Sequence, residues 1–244
     1  MVDPLLARHY PFSGHFLETR GLRLHDLDEG PRDAPPVVML HGNPTWSFYY
    51  RDLVLDLRKD FRCIVPDHIG CGLSDKPGED RYDYRLQSRI EDLDTLLGQL
   101  VPEGRLSLVV HDWGGMIGSA WATANPDRID RLVILNTAAF PLPKTKRMPP
   151  ALSLARDTAL GAFLVTRFNA FSGIAARVGF KKPVSPEIRR CYTLPYDNPR
   201  NRIATLKFVQ DIPLKESDPG FDILRRTEDG LHLLKDKPCL IAWG

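Results

Sequence analysis

Five short, almost unbroken apolar runs constrain this chain more than anything else in it: residues 37–40, 63–65, 106–110, 132–135 and 239–243. Each is too short for a helix and lacks the polar alternation of a strand with one wet face, so each reads as a strand covered on both sides. Segments with helical period lie between them, at residues 46–57, 86–100 and 115–124. Strands alternating with helices imply a mostly parallel sheet with helices on both faces and a ligand crevice beyond the strands' carboxyl ends. Ahead of them, residues 15–19 and 22–27 alternate well enough for a hairpin turning at Gly21.

The alternation stops near residue 141 and resumes near 227. In between, helical segments at residues 151–168 and 201–210 are separated by proline-rich turns. This middle stretch reads as a helical cap inserted over the crevice, dividing the chain into a core (1–140), a cap (141–226) and a return to the core (227–244). Phe163, Phe168, Phe171 and Phe208 are candidate apolar walls for a pocket beneath the cap, and a small core internal to the cap accounts for each of them equally well.

Composition narrows the partners. The 244 residues suffice for one sizeable core, and a formal charge of +2 gives no reason to expect a nucleic acid. Lys144, Lys146 and Arg147 read as a solvated loop. Cys63, Cys71, Cys191 and Cys239 are far apart, which fits free thiols in a reducing compartment and neither a zinc site nor a redox pair. The first residues do not read as a secretion signal, and no apolar run has spanning length, so the expectation is a cytoplasmic protein. Peripheral membrane contact through an exposed patch stays compatible with this composition. No metal-ligand spacing and no dinucleotide glycine motif occurs, so no cofactor is expected.

The chemistry concentrates at Val109-Val110-His111-Asp112-Trp113-Gly114-Gly115, where a buried strand must turn sharply into a helix. This is the setting of a nucleophile elbow, Gly-x-Ser-x-Gly, in which small neighbours let a strained residue stand exposed at the sheet edge. Asp112 takes the nucleophile's place, Gly114 the second small position, and Val110 departs from the first. Read alone, Asp112 is equally a helix N-cap. His41-Gly42-Asn43-Pro44, following the strand at 37–40, tips the balance, because a loop there can donate a backbone N–H to an oxyanion hole. Asn43 and Trp113 are then the candidate donors. His68 is a candidate crevice residue, whereas His41 and His111 read as structural.

With these motifs the chain resembles the haloalkane-dehalogenase-like branch of the α/β-hydrolases, over essentially its whole length. Asn136-Thr-Ala-Ala-Phe-Pro-Leu-Pro, Pro195-Tyr-Asp-Asn and Phe208-Val-Gln-Asp-Ile-Pro-Leu are similar, more narrowly, to the β-lactone decarboxylases of bacterial long-chain olefin biosynthesis. The resemblance implies an α/β-hydrolase fold, Asp112 as nucleophile, and Asn43 with Trp113 stabilising the leaving group. It implies a small hydrophobic substrate, a cis-3,4-dialkyl β-lactone split into a cis-alkene and carbon dioxide, and other enzymes of the olefin pathway as partners. Hydrolytic dehalogenation and non-catalytic ligand binding are the competing readings. The family's acid and histidine are expected beyond Gly244, so the chain is expected to be a C-terminally truncated form with little turnover.

Overall fold

The computed structural model describes residues 3–143 and 145–244, so Lys144 of the basic cluster and the first two residues lie outside the described residues. A short helix α1 (Pro4–His9) leads into strands β1 (Gly14–Thr19), β2 (Leu22–Glu29) and β3 (Pro36–Leu40). Helix α2 (Arg51–Leu57), strand β4 (Arg62–Pro66), helix α3 (Leu86–Leu100), strand β5 (Leu106–His111), helix α4 (Trp113–Ala124) and strand β6 (Ile129–Leu135) follow. The cap then contributes α5 (Pro150–Asp157), α6 (Ala159–Phe168), α7 (Ser172–Val178), α8 (Pro186–Thr193) and α9 (Ile203–Gln210). Helix α10 (Phe221–Gly230) and strand β7 (Cys239–Ala242) return the chain to the sheet.

The sheet runs β1-β2-β4-β3-β5-β6-β7. Its first two pairings are antiparallel and the rest parallel. The hairpin between β1 and β2 turns through Arg20 and Gly21, both left-handed with φ of 53° and 69°. Two left-handed residues give the turn whose twist matches that of the strands it joins. In the central strands, Val38, Leu40, Leu108 and Val110 enter a core against α3 and α4, while Val37, Met39 and Val109 enter a second core containing Trp46, Phe48 and Tyr192. Burial on both faces is why the runs carry no polar alternation.

Three elements differ from the sequence reading. Residues 46–57 begin as a 3-10 turn, Ser47–Tyr50, before becoming α-helical at Arg51. Residues 151–168 are two helices, because Thr158 is extended (φ −130°, ψ 146°) and its hydroxyl accepts from Gly161 N to cap α6. Strand β7 is present and pairs with β6, but Leu240 and Ile241 are 59% and 66% exposed and not covered on both sides. No single helix among the described residues is long and apolar enough to cross a membrane.

Candidate active site

Parallel register sets the site. Leu40 of β3 lies opposite Val110 of β5, which in turn lies opposite Ile134 of β6. The next residues of these three strands therefore emerge side by side, and the loops they start carry Asn43, Asp112 and Thr137.

Asp112 sits at φ 51°, ψ −124°, between β5 and α4. For a non-glycine residue this is a strained backbone that surrounding structure must enforce. Two glycines and a threonine enforce it. A Cβ on Gly114 would lie 2.1 Å from Leu40 O, and one on Gly42 would lie 2.2 Å from the Asp112 Cβ, so both must lack side chains for β3, its loop and the elbow to close together. Thr137 Oγ1 donates to the Asp112 carbonyl at 2.5 Å. The valine at the first small position of the elbow finds its room further on: a Cβ on Gly118, one turn into α4, would meet Val110 Cγ1 at 2.7 Å.

The Asp112 side chain makes no capping bond to α4, which removes the N-cap alternative. Instead Oδ1 accepts from Asn43 N at 2.7 Å. That N–H belongs to the Gly42–Asn43 peptide, whose carbonyl accepts from both His41 Nδ1 and Thr45 Oγ1 at 2.9 Å. His41 must carry its proton on Nδ1, because its Nε2 accepts from His68 N at 3.1 Å. Burial lowers the pKa values of His41 and His68, so both stay neutral. The peptide facing the carboxylate is thus fixed at both ends.

The residues singled out in the sequence fall into three groups. Asp112, Asn43 and Trp113 come together at the elbow. Asn43 Nδ2, however, donates to Thr205 O of α9 at 2.9 Å, leaving Oδ1 buried without a partner. Phe208 and His68 pack behind the site: the Phe208 ring lies 5.1 Å from Trp113 and 6.0 Å from His68, with the buried Arg89 guanidinium 3.7 Å over its face. The other three lie in the cap, away from the elbow. Phe171 packs against the small cap core of Ala155, Val165 and Leu206. Phe163 and Phe168 touch each other on the cap surface, 50% and 69% exposed.

A cavity of about 570 Å³ opens on the Asn43 and His111 side of the elbow. Its larger walls are Tyr49, Phe180, Tyr192 and Trp243, none of which is marked by a motif. Tyr49 stacks on His111 at 4.5 Å, and burial lowers the His111 pKa. Three hydrogen bonds fasten the cap to the loop after β3: Asn43 to Thr205, Trp46 Nε1 to Cys191 O at 3.2 Å, and Tyr196 Oη to Thr45 O at 3.2 Å. A histidine–carboxylate pair, His25 with Asp67 at 2.8 Å, is fully enclosed. Asp67 also accepts from Ser47 N and Leu73 N, and these bonds pin two loops. Among the described residues no cluster has metal-binding composition.

Residues 35–244 match the family model described as the alpha/beta hydrolase fold. The chain is an α/β-hydrolase. This α/β-hydrolase is 53% identical over 245 residues to the cis-3-alkyl-4-alkyloxetan-2-one decarboxylase of Shewanella oneidensis, covering 100% of the chain and 75% of the relative. It is 35% identical to a haloalkane dehalogenase of Mycolicibacterium paratuberculosis, covering 96% of the chain and 77% of that protein. Among solved structures, the haloalkane dehalogenase DatA of Agrobacterium tumefaciens superposes with a TM-score of 0.81 at 26% identity, over 94% of this chain and 78% of the other. By sequence the α/β-hydrolase is thus similar to β-lactone decarboxylases, and in structure it is close to dehalogenases.

Proposed function

We propose that this α/β-hydrolase decarboxylates cis-3,4-dialkyl β-lactones with Asp112 as nucleophile. The observation that carries the reading is the Asp112 carboxylate, held by Asn43 N at a strained elbow instead of capping its helix. The similarity to a decarboxylase of alkyloxetanones supplies the substrate class. An ionised carboxylate needs no base to become a nucleophile, unlike a serine. Asp112 attacks the ring carbon that bears oxygen, the carbon–oxygen bond breaks with inversion, and the ring oxygen becomes part of a free carboxylate. That carboxylate departs as carbon dioxide. Its electron pair forms the alkene and expels Asp112 unchanged. Inversion followed by anti elimination converts a cis ring to a cis-alkene. No water or external proton is consumed, and an apolar cavity lined by Tyr49, Phe180 and Tyr192 suits both alkyl chains.

The test is incubation with a cis-dialkyl β-lactone, following alkene and carbon dioxide, with mass spectrometry of the peptide containing Asp112. Alkene formation, or an Asp112 ester heavier by the mass of the lactone, is expected. Both are lost in Asp112→Ala. Undiminished alkene formation by that variant overturns the proposal. Bromide release from a bromoalkane with the lactone left intact assigns the same site to dehalogenation instead, a reading favoured by the structural match to DatA.

A further inference from the structure

The cap carries a surface that neither the reaction nor the fold requires. Leu160, Phe163, Phe168, Ile174 and Val178 of α6 and α7 are each 50% exposed or more, although buried sites are the normal place for such side chains. Concentrated exposure of this kind marks an interaction surface. Helix α7 organises it. On one side Ile174 and Val178, one turn apart, line an apolar groove of about 350 Å³ shared with α5 and α6. On the other, Arg177 lines a second groove with Phe168, Arg189 and Arg190.

Charge identifies the occupant. Residues 140–186 contain eight lysines or arginines and one acid, Asp157, in a chain whose net charge is only +2. Asp157 is taken by Arg156 at 2.6 Å. Arg167, Arg177, Lys181 and Lys182 form no ion pair among the described residues. A protein partner ordinarily meets a rim of mixed polar groups. Glu187, beside the second groove, is engaged by Arg8 and His9, and Arg190 by Asp3; large apolar side chains ringed by an excess of cations are the complement of a bilayer with anionic headgroups. Together α6 and α7 are apolar enough for a span, but they bend by 75° at their junction, so they suit the interface and not a crossing.

We propose that the α5–α7 face of the cap docks on the surface of an anionic lipid bilayer. The apolar side chains of α6 and α7 enter the headgroup boundary, and the surrounding basic side chains lie against phosphates. Only α7 then stands between lipid and site, because Ala175 lines both the outer groove and the cavity beside Asn43. Docking would deliver an apolar molecule from the bilayer to that cavity, whichever bond Asp112 attacks.

Vesicle flotation tests this without any need for turnover. The protein is expected to float with phosphatidylcholine vesicles containing about 30 mol % phosphatidylglycerol and only weakly with phosphatidylcholine alone. Salt at about 0.5 M should release it. Arg177→Glu/Lys181→Glu/Lys182→Glu should lower partitioning about tenfold or more, and Phe163→Ser/Phe168→Ser/Val178→Ser should abolish it. All these positions are exposed, and unchanged circular dichroism confirms the fold of each variant. Absence of flotation, equal flotation with both vesicle types, or binding that survives both sets of substitutions overturns the proposal. A lipid-free dimer dissolved by the serine substitutions would assign the face to a second copy of the chain instead.

Discussion

At the level of single residues, the site depends as much on missing side chains as on reactive ones. Gly114 and Gly98 both lie in helices, yet they should respond oppositely to alanine. At Gly114 the new Cβ meets a backbone carbonyl that cannot move without shifting β3, whereas at Gly98 it meets nothing within 4 Å. Gly114→Ala is expected to destabilise by about 1–3 kcal/mol, and Gly98→Ala to stabilise by about 0.5–1 kcal/mol. Urea midpoints of the two variants against the parent decide it. Asp112 was legible in the sequence because an elbow is a local pattern, and Asn43 because its loop follows a recognisable strand. Thr137 was not, since its role comes from the register of β6 beside β5. A polar residue just past a strand neighbouring the elbow is the signal that could have found it. Gly118 likewise explains the irregular Val110 only once α4 is packed on its strand.

Among elements, the two loops after β3 and β4 are joined through neutral histidines, and this makes the joint sensitive to acid. His41 and His68 are both depressed below the ordinary imidazole range, chiefly by burial. The unfolded chain therefore takes up protons near pH 6.5 that the folded protein refuses. Each histidine contributes stability that is present above that pH and lost as pH falls below it, with a limiting slope of about 1.4 kcal/mol per pH unit. The difference in unfolding free energy between pH 7 and pH 5 should shrink in His68→Gln, measured by urea denaturation. An unchanged difference would show that the joint does not refuse the proton. The cap elements were the least legible. A continuous helical period over residues 151–168 hides the break at Thr158, and left-handed Asn169 ends α6 where the sequence shows only another polar residue. These two turns leave Phe163 and Phe168 on the cap surface, and the cavity takes Phe180 and Tyr192 for its walls instead.

For the molecule as a whole, the order of strands and helices could be read from apolar runs because every central strand is covered on both faces. Strand β7 has the same composition, and it is the last strand in the order of the sheet described, with Leu240 and Ile241 exposed. Burial also sorts the four thiols. Cys63, Cys71 and Cys191 are buried and Cys239 is exposed, and burial pushes Cys63 and Cys71 up to about 11. A thiol reagent at mild alkaline pH should therefore titrate one cysteine rapidly in the native protein and all four in denaturant. Fast reaction of more than one native thiol would contradict this packing.

The bond from Asn43 Nδ2 to Thr205 ties the cap to the elbow. Asn43 belongs at once to the peptide that steadies the Asp112 carboxylate and, through its side chain, to the cap helix α9. Any displacement of α9 would pull on the residue whose backbone N–H steadies the Asp112 carboxylate. Asn43 is therefore a shared latch, one residue serving both the cap helix and the peptide that faces the Asp112 carboxylate.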